Sequence, residues 1–317
     1  MSAEDEDVNT EDEDVNTEEV DVSTLFGLSC PSCGAPLQAG DRFCERCGAR
    51  LEDEPKPHAP ATRVELDLAI AAAVSDQGLV HHRNEDSFHL EVSGQRNVTV
   101  VICDGISSAS AGNIAARDAA KAAGDVLGRA VADPGKDAGE AIVDAIQAAV
   151  EAVIQVEWTT RAKRVDPSCT LVSAVCRGAE ITVGWVGDSR AYWFDPEQSR
   201  QLTVDDSFAE EGIAKGLLTP EQAAKSPFLH SITHWVGPDA PERPPRTVSL
   251  RPERPGRLVL CTDGLWNYAP SADELGGLID ALPDGAAPAA VARALADTAN
   301  DRGGHDNITV AVVNINP

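Results

Sequence analysis

Several apolar runs in the chain end in carboxylates. Val98-Thr-Val-Val-Ile-Cys-Asp104-Gly105 reads as a buried strand that releases its acid at the edge, and Arg257-Leu-Val-Leu-Cys-Thr-Asp263-Gly264 repeats the design. Asn84-Glu85-Asp86 precedes a further strand, Gly187-Asp188-Ser189-Arg190 reads as a hairpin between two strands, and Gly303-Gly304-His305-Asp306-Asn307 leads into the last one. Any single Asp-Gly is an ordinary turn signal. Acids at the ends of five strands are harder to assign to solvation alone. Carboxylates gathered without thiolates or several histidines repel one another unless hard cations neutralise them, which points to Mg²⁺ or Mn²⁺. The glycine after Asp104 and after Asp263 lets its own backbone carbonyl approach whatever the carboxylates hold. Two such ions can lower the pKa of a shared water and aim it at an electrophile while neutralising the oxygens of a phosphate ester.

A second metal chemistry stands near the N-terminus. Cys30-Pro-Ser-Cys33-Gly and Cys44-Glu-Arg-Cys47-Gly are separated by ten residues. Each CxxC-Gly forms a tight knuckle aiming two thiolates at one point, and two knuckles complete a tetrahedral Cys₄ site for one structural Zn²⁺. Residues 30 to 51 resemble the small zinc ribbons attached to many bacterial proteins. A disulfide pair or a redox CxxC is the competing reading; a reducing compartment and the lack of a preceding thioredoxin-like strand weigh against it.

The elements that must position the acids follow from hydrophobic period and propensity. Strands are predicted at 68–74, 87–92, 97–103, 170–177, 180–186, 190–194, 257–262 and 308–315, and helices at 109–131, 138–158, 271–281 and 287–301. Strands grouped in pairs around helical hairpins favour an α+β arrangement of antiparallel sheets with helices packed outside. Four units result: an acidic, disordered arm (1–25), the ribbon (26–51), a proline-rich linker (52–64) and a single large domain (65–317). In the arm, residues 4 to 10 recur unchanged at 11 to 17, with too few apolar residues for a coiled-coil seam. Thr10, Thr17 and Thr24 stand among its acids as candidate kinase targets, and a phosphorylated arm is a candidate docking element.

Composition narrows the partners. The 317 residues hold 52 Asp and Glu against 26 Lys and Arg, a net charge of −26, which argues against nucleic acid and anionic membrane surfaces. Residues 1 to 21 carry eleven of those acids, leaving 41 against 26 basic residues elsewhere, so the folded part is acidic too. No window has the length of uncharged apolar sequence that spans a bilayer, and the acidic N-terminus is unlike a signal peptide. Cys103, Cys169, Cys176 and Cys261 lie in apolar runs, as reduced cysteines do. A cytoplasmic protein is expected.

The series Asn84-Glu-Asp, Asp104-Gly, Val186-Gly-Asp-Ser-Arg-Ala-Tyr, Leu202-Thr-Val-Asp-Asp-Ser, Cys261-Thr-Asp-Gly-Leu-Trp and Gly304-His-Asp-Asn-Ile-Thr resembles, in order and spacing, the metal-dependent serine/threonine protein phosphatases of the PPM, or type 2C, family. The likeness spans about residues 70 to 315 and is closest to bacterial members. It implies two stacked antiparallel sheets flanked by helices, an αββα sandwich, and hydrolysis of phosphoserine and phosphothreonine in proteins without a covalent phosphoenzyme. It implies that Asp104, the Gly105 carbonyl, Glu85, Asp86, Asp263 and Asp306 hold two Mn²⁺ or Mg²⁺ ions directly or through water. Asp188 would serve a weaker third ion, Asn307 would orient the ligand beside it, and residues 207 to 234 would form a flap near the substrate groove. The implied partners are phosphorylated proteins, substrates of a bacterial Ser/Thr kinase. The acidic domain predicts a preference for basic flanks around the phosphoresidue.

Three positions depart from the family pattern. His81 stands where the family has its phosphate-binding arginine, with Arg83 two residues on; on a strand the two would share a face. Ile106-Ser107-Ser108 replaces the usual residue and two glycines, and Asn267 stands where an aspartate often serves the third metal. These departures favour an alternative, a pseudophosphatase that keeps the fold as a binding module; the retained carboxylates oppose it. Hydrolysis of a small phosphorylated metabolite is a third reading. His82, His89, His230 and His234 lack ligand-like spacing, Trp185, Trp193 and Trp266 are expected in the core or groove wall, and His305 is assigned no role.

Overall fold

The computed structural model describes residue 33 and residues 63–158, 165–223, 228 and 231–317. The chain divides near residue 58, so that residues 59–317 form one unit. In chain order its elements are β1 (Val64–Asp67), β2 (Ala71–Asp76), β3 (Asp86–Ser93), β4 (Asn97–Asp104), α1 (Gly112–Val131), α2 (Ala138–Ile154), β5 (Leu171–Arg177), β6 (Glu180–Val186), β7 (Arg190–Asp195), β8 (Gln198–Gln201), α3 (Phe208–Ala214), α4 (Pro220–Ala223), β9 (Arg246–Leu250), β10 (Gly256–Cys261), α5 (Asp263–Trp266), α6 (Ala272–Asp280), α7 (Pro288–Asp301) and β11 (Ile308–Ile315).

Two antiparallel sheets stack face to face, one ordered β1-β2-β11-β10-β7-β8 and the other β3-β4-β5-β6-β9. The pleat explains the layering. Along β4, Val98, Val100 and Ile102 point into the core between the sheets, whereas Val101 and Cys103 point outward against α1 and α2. From the opposite sheet Ala311, Val313, Leu258 and Leu260 enter the same inner core, while Val310, Val312 and Val259 face α6 and α7. Both faces of the central strands are therefore buried, which is why these strands read as continuous apolar runs. Small residues let the helices approach: α1 sets Ala115, Ala116, Ala119, Ala120 and Ala123 into its interface. The α+β sandwich with outer helices is as expected.

Three local expectations differ. The apolar stretch 68–74 is not one strand: Ala69 takes a left-handed conformation (φ 65°) and donates its N–H to Asp67 Oδ1 at 3.0 Å, so residues 68–70 form the turn of the β1-β2 hairpin and only residues 71–74 are strand. Gly187-Asp188-Ser189 is not a hairpin: β6 and β7 belong to different sheets, and these residues carry the chain across between them. The short strands β8 (QSRQ) and β9 (RTVSL) lack a strong apolar signal and form as edges paired to β7 and β6. β1 begins at Val64, and Arg63, in the predicted linker, binds Asp76 Oδ2 at 2.6 Å and Asp297 Oδ1 at 2.7 Å.

Candidate metal centre

The sheet edges that carry the acids meet at one end of the sandwich. Asp86 opens β3 and Asp104 closes β4, and register sets them directly opposite one another. Gly105 continues the pairing, donating its N–H to the Glu85 carbonyl at 3.1 Å and bridging to Cys169. A Cβ on Gly105 would meet the backbone of Gly112, so only glycine lets the start of α1 lie this close. Thr170 holds the end of β4 from the neighbouring strand: its N–H donates to the Asp104 carbonyl at 2.8 Å and its Oγ1 accepts the Asp104 N–H at 3.3 Å.

The other sheet supplies Asp263, first residue of α5 after β10, and Asp306, just before β11. Asp188 comes from the crossover, where Gly187 (φ 102°) packs against Thr170 and Trp266 Nε1 donates to the Asp188 carbonyl at 3.0 Å. Asn307 ties this group to the 77–85 loop. Its Oδ1 accepts the Glu85 N–H at 2.7 Å, its Nδ2 donates to the carbonyls of Gln77 (2.7 Å) and Arg83 (3.1 Å), and its own N–H donates to Asp306 Oδ1 at 2.8 Å.

The carboxylates perturb one another strongly. Burial, followed by the charges of Asp263 and Asp306, pushes Asp86 up to about 7, with the neighbouring hydroxyls of Thr309 and Thr262 opposing the rise. Burial and Asp306 raise Asp263 to about 6, and burial with Asp263 and Asp205 raises Asp188 to about 8. Asp104 is driven well above the ordinary range by burial and then by Asp86, Asp263, Asp188 and Asp306. All four thus resist sharing the space as anions. Asp86 Oδ1 and Asp263 Oδ1 are also buried without a hydrogen-bond donor. Anionic oxygens that repel each other and lack donors suit a hard divalent cation. Among the described residues, no three His, Cys, Asp or Glu side chains close on one point at ligand distance. The set is open, and water must complete the shell of any ion it holds.

The phosphate-binding candidates separate. Residues 77 to 85 form a loop, so the shared strand face expected for His81 and Arg83 does not exist. His81 Nε2 lies 3.3 Å from Asp306 Oδ1, whereas exposed Arg83 lies 3.6 Å from Glu85 Oε1 and 3.4 Å from Asn113 Oδ1. Asn267 Nδ2 donates to Asp263 Oδ2 at 3.3 Å. Trp185, Trp193 and Trp266 are buried in the core, and so is His234. Of the ribbon cysteines, Cys33 is exposed and Cys30, Cys44 and Cys47 lie outside the described residues, as do the arm and almost all of the linker.

The residues that stand behind the acids belong to the quoted motifs, yet the sequence assigns them no role. Thr262 Oγ1 donates to Asp86 Oδ2 at 2.9 Å. The Asp205-Asp206 pair clamps the crossover: Arg190 binds Asp205 through Nη2 (2.7 Å) and Nε (3.0 Å) and stacks 3.7 Å over Trp266, while Asp206 accepts the Gly187 N–H at 3.0 Å and pairs with Arg246 at 3.0 Å. The available signal was a polar residue inside an apolar run, as with Thr262 after Leu258-Val-Leu-Cys.

The model of the protein phosphatase 2C family matches residues 80–306, most of the chain. The chain belongs to the protein phosphatase 2C family. A zinc-ribbon domain model matches residues 29–51. Among relatives of this phosphatase, the serine/threonine phosphatase stp of Listeria innocua is 26% identical over 76% of the chain and 94% of its own length. The serine/threonine protein phosphatase PstP of Mycobacterium tuberculosis is 30% identical over 80% of the chain, which spans 46% of that longer protein. The catalytic domain of a PstP, solved in complex with two manganese ions, superposes with a TM-score of 0.56 at 25% identity, covering 80% of this chain and all of that one. Within this phosphatase, no helix among the described residues is long and apolar enough to cross a membrane.

Proposed function

We propose that this phosphatase hydrolyses phosphoserine and phosphothreonine in proteins at the acid-lined end of the sandwich, with two Mn²⁺ or Mg²⁺ ions and no covalent intermediate. The observation that carries the reading is the group of Asp86, Asp104, Asp263 and Asp306, whose charges add to burial in raising the first three, with Asp86 Oδ1 and Asp263 Oδ1 buried without donors. Asp104, Asp263, Asp306 and the Gly105 carbonyl would hold the ions, with Glu85 and Asp86 engaged directly or through water, and Asp188 would serve a weaker third ion. When bound, the ions supply a nucleophilic water of lowered pKa and neutralise the phosphoryl oxygens. His81 and Arg83 are the nearby side chains able to hold the phosphate as hydrogen-bond donors. Asn307 keeps the loop that carries both in register with Asp306.

The four zinc-ribbon cysteines, Cys30, Cys33, Cys44 and Cys47, would bind one structural Zn²⁺. The division into arm 1–25, ribbon 26–51, linker 52–64 and catalytic domain 65–317, a cytoplasmic location and substrates made by a bacterial Ser/Thr kinase complete the reading. A flap at residues 207 to 234 fits the helices α3 and α4 and the bridge from Ser207 to Ile232. The competing role, a binding module with little turnover, is favoured by one observation: His81, at the position of the family's arginine, lies against Asp306.

The test is hydrolysis of a phosphothreonine peptide by the full chain, with and without Mn²⁺, beside Asp104→Asn. Turnover that requires Mn²⁺ and is lost in the variant is expected. Folded wild-type protein without turnover at millimolar Mn²⁺ would establish the binding module instead.

A further inference from the structure

Asp86 is held from behind by a ring of buried side chains. Thr262 Oγ1 donates to Asp86 Oδ2 at 2.9 Å and accepts the Thr309 N–H at 3.0 Å. Thr309 Oγ1 donates to Ser75 Oγ at 2.8 Å, and Ser75 Oγ also accepts from Asn84 Nδ2 at 2.8 Å. Asn84 Oδ1 in turn accepts the Asp86 N–H at 3.0 Å, closing the ring on the residue where it began. Thr262 and Thr309 are fully buried and Ser75 nearly so. The ring draws on β2, β11 and the residue after β10 of one sheet to hold the first residue of β3 in the other.

A hydroxyl has a single proton. Because a fixed backbone N–H occupies the acceptor side of Thr262, that proton is committed to Asp86. Thr262 is also the N-cap residue of α5, yet its side chain caps no helix N–H, which leaves the hydroxyl wholly to this contact. The two oxygens of Asp86 are therefore unequal: Oδ2 takes the Thr262 proton, and Oδ1 is buried without a donor, because the neighbouring Thr309 hydroxyl gives its own proton to Ser75 Oγ. A carboxylate otherwise able to rotate about its last bond is fixed with one oxygen left over.

We propose that Thr262 is a positioning residue for cation binding, its hydroxyl holding Asp86 Oδ2 so that Oδ1 remains as the oxygen available to an ion or its water. This rests on the metal-centre reading above and adds a residue to it. The consequence is a hydroxyl requirement at position 262 that is independent of volume. Thr262→Val keeps the shape and removes both the bond to Asp86 and the acceptor of the Thr309 N–H, whereas Thr262→Ser keeps both, and the Asp86→Asn background separates the two effects.

The experiment is Mn²⁺ titration of the full, zinc-retaining chain, followed by the electron paramagnetic resonance signal of free Mn²⁺. Wild type, Thr262→Val, Thr262→Ser, Asp86→Asn and the Asp86→Asn/Thr262→Val pair are compared. Thr262→Val is expected to weaken Mn²⁺ binding at least about tenfold, the loss of one hydrogen bond to a charged group. Thr262→Ser is expected to stay within about twofold of wild type, and Thr262→Val to add less than about twofold once Asp86 is Asn. Equal affinity in wild type and Thr262→Val, equal losses in Ser and Val, or a full loss that persists beside Asp86→Asn would each overturn the proposal. Wild type that binds no Mn²⁺ would overturn the metal centre itself, a separate result. Melting of the Mn²⁺-free forms reports folding. Should Thr262→Val not fold, Ser75→Ala takes its place, with affinity expected to fall about threefold and unchanged affinity overturning the proposal.

Discussion

Asn307→Ala tests whether the loop carrying His81 and Arg83 is held by one amide. The side chain is buried and makes three hydrogen bonds to backbone: from Glu85 N–H at 2.7 Å, and to the Gln77 and Arg83 carbonyls at 2.7 and 3.1 Å. At about 1 kcal/mol for each bond, with the buried groups left unpaired adding to the cost, opening of the 77–85 loop becomes easier by about 2 to 4 kcal/mol. Since about 1.4 kcal/mol is tenfold, the Glu85 amide and the Gly105 amide that bonds to the Glu85 carbonyl are expected to exchange at least about 30-fold faster. The assay is hydrogen–deuterium exchange of the Mn²⁺-free chain, read at peptides covering 77–86 and 104–106. Asn307→Asp, which turns a carboxylate oxygen towards two carbonyls, is expected to open the loop at least as far. Exchange within about twofold of wild type in both variants, against the 30-fold expected, would refute the reasoning and show that the loop is held by its other bonds, such as Leu79 N–H to the Gly304 carbonyl.

At the phosphate-binding position, His81→Arg is expected to lower KM for a phosphothreonine peptide and His81→Ala to raise it, each by about tenfold, because a guanidinium binds phosphate in bidentate fashion and alanine not at all. Equal KM in all three would move phosphate binding to Arg83. For pH, the raised carboxylates work in one direction: a folded-state pKa above the unfolded value of about 4 stabilises at low pH and loses that contribution as pH rises through the folded pKa. With Asp263 at about 6, Asp86 at about 7 and Asp188 at about 8, the protein without Mn²⁺ or Mg²⁺ is expected to lose stability between pH 5 and 8. Asp76, Asp195 and Glu211, whose pKa values are lowered, lose their contributions only at more acid pH. Saturating Mn²⁺ should cancel the decline. Urea unfolding at pH 5, 6.5 and 8 checks this, and a metal-free stability that rises towards pH 8 would contradict it.

The acids of the centre were legible in the sequence because a buried strand can carry a carboxylate only where it leaves the core, so Val98 to Asp104 and Arg257 to Asp263 announce both strand and site. The grouping of strands in pairs around helical hairpins also made the arrangement of sheets with outer helices readable. The 68–74 stretch misled because a single left-handed residue, Ala69, breaks a run whose composition is uniformly apolar. What lay between distant segments was decided by tertiary structure alone. Whether Gly187 to Ser189 turns back in one sheet or crosses to the other depends on which strands pair with β6 and β7, and those are β5 and β9 on one side and β10 and β8 on the other. His81 and Arg83 diverge because their loop is held by Asn307, 222 residues from Glu85 in sequence, and not by strand pairing. The ring from Thr262 through Thr309, Ser75 and Asn84 to Asp86 likewise has no local pattern. Hydrophobic period encodes which side of an element is buried; which polar atoms meet there is set by how the two sheets are stacked.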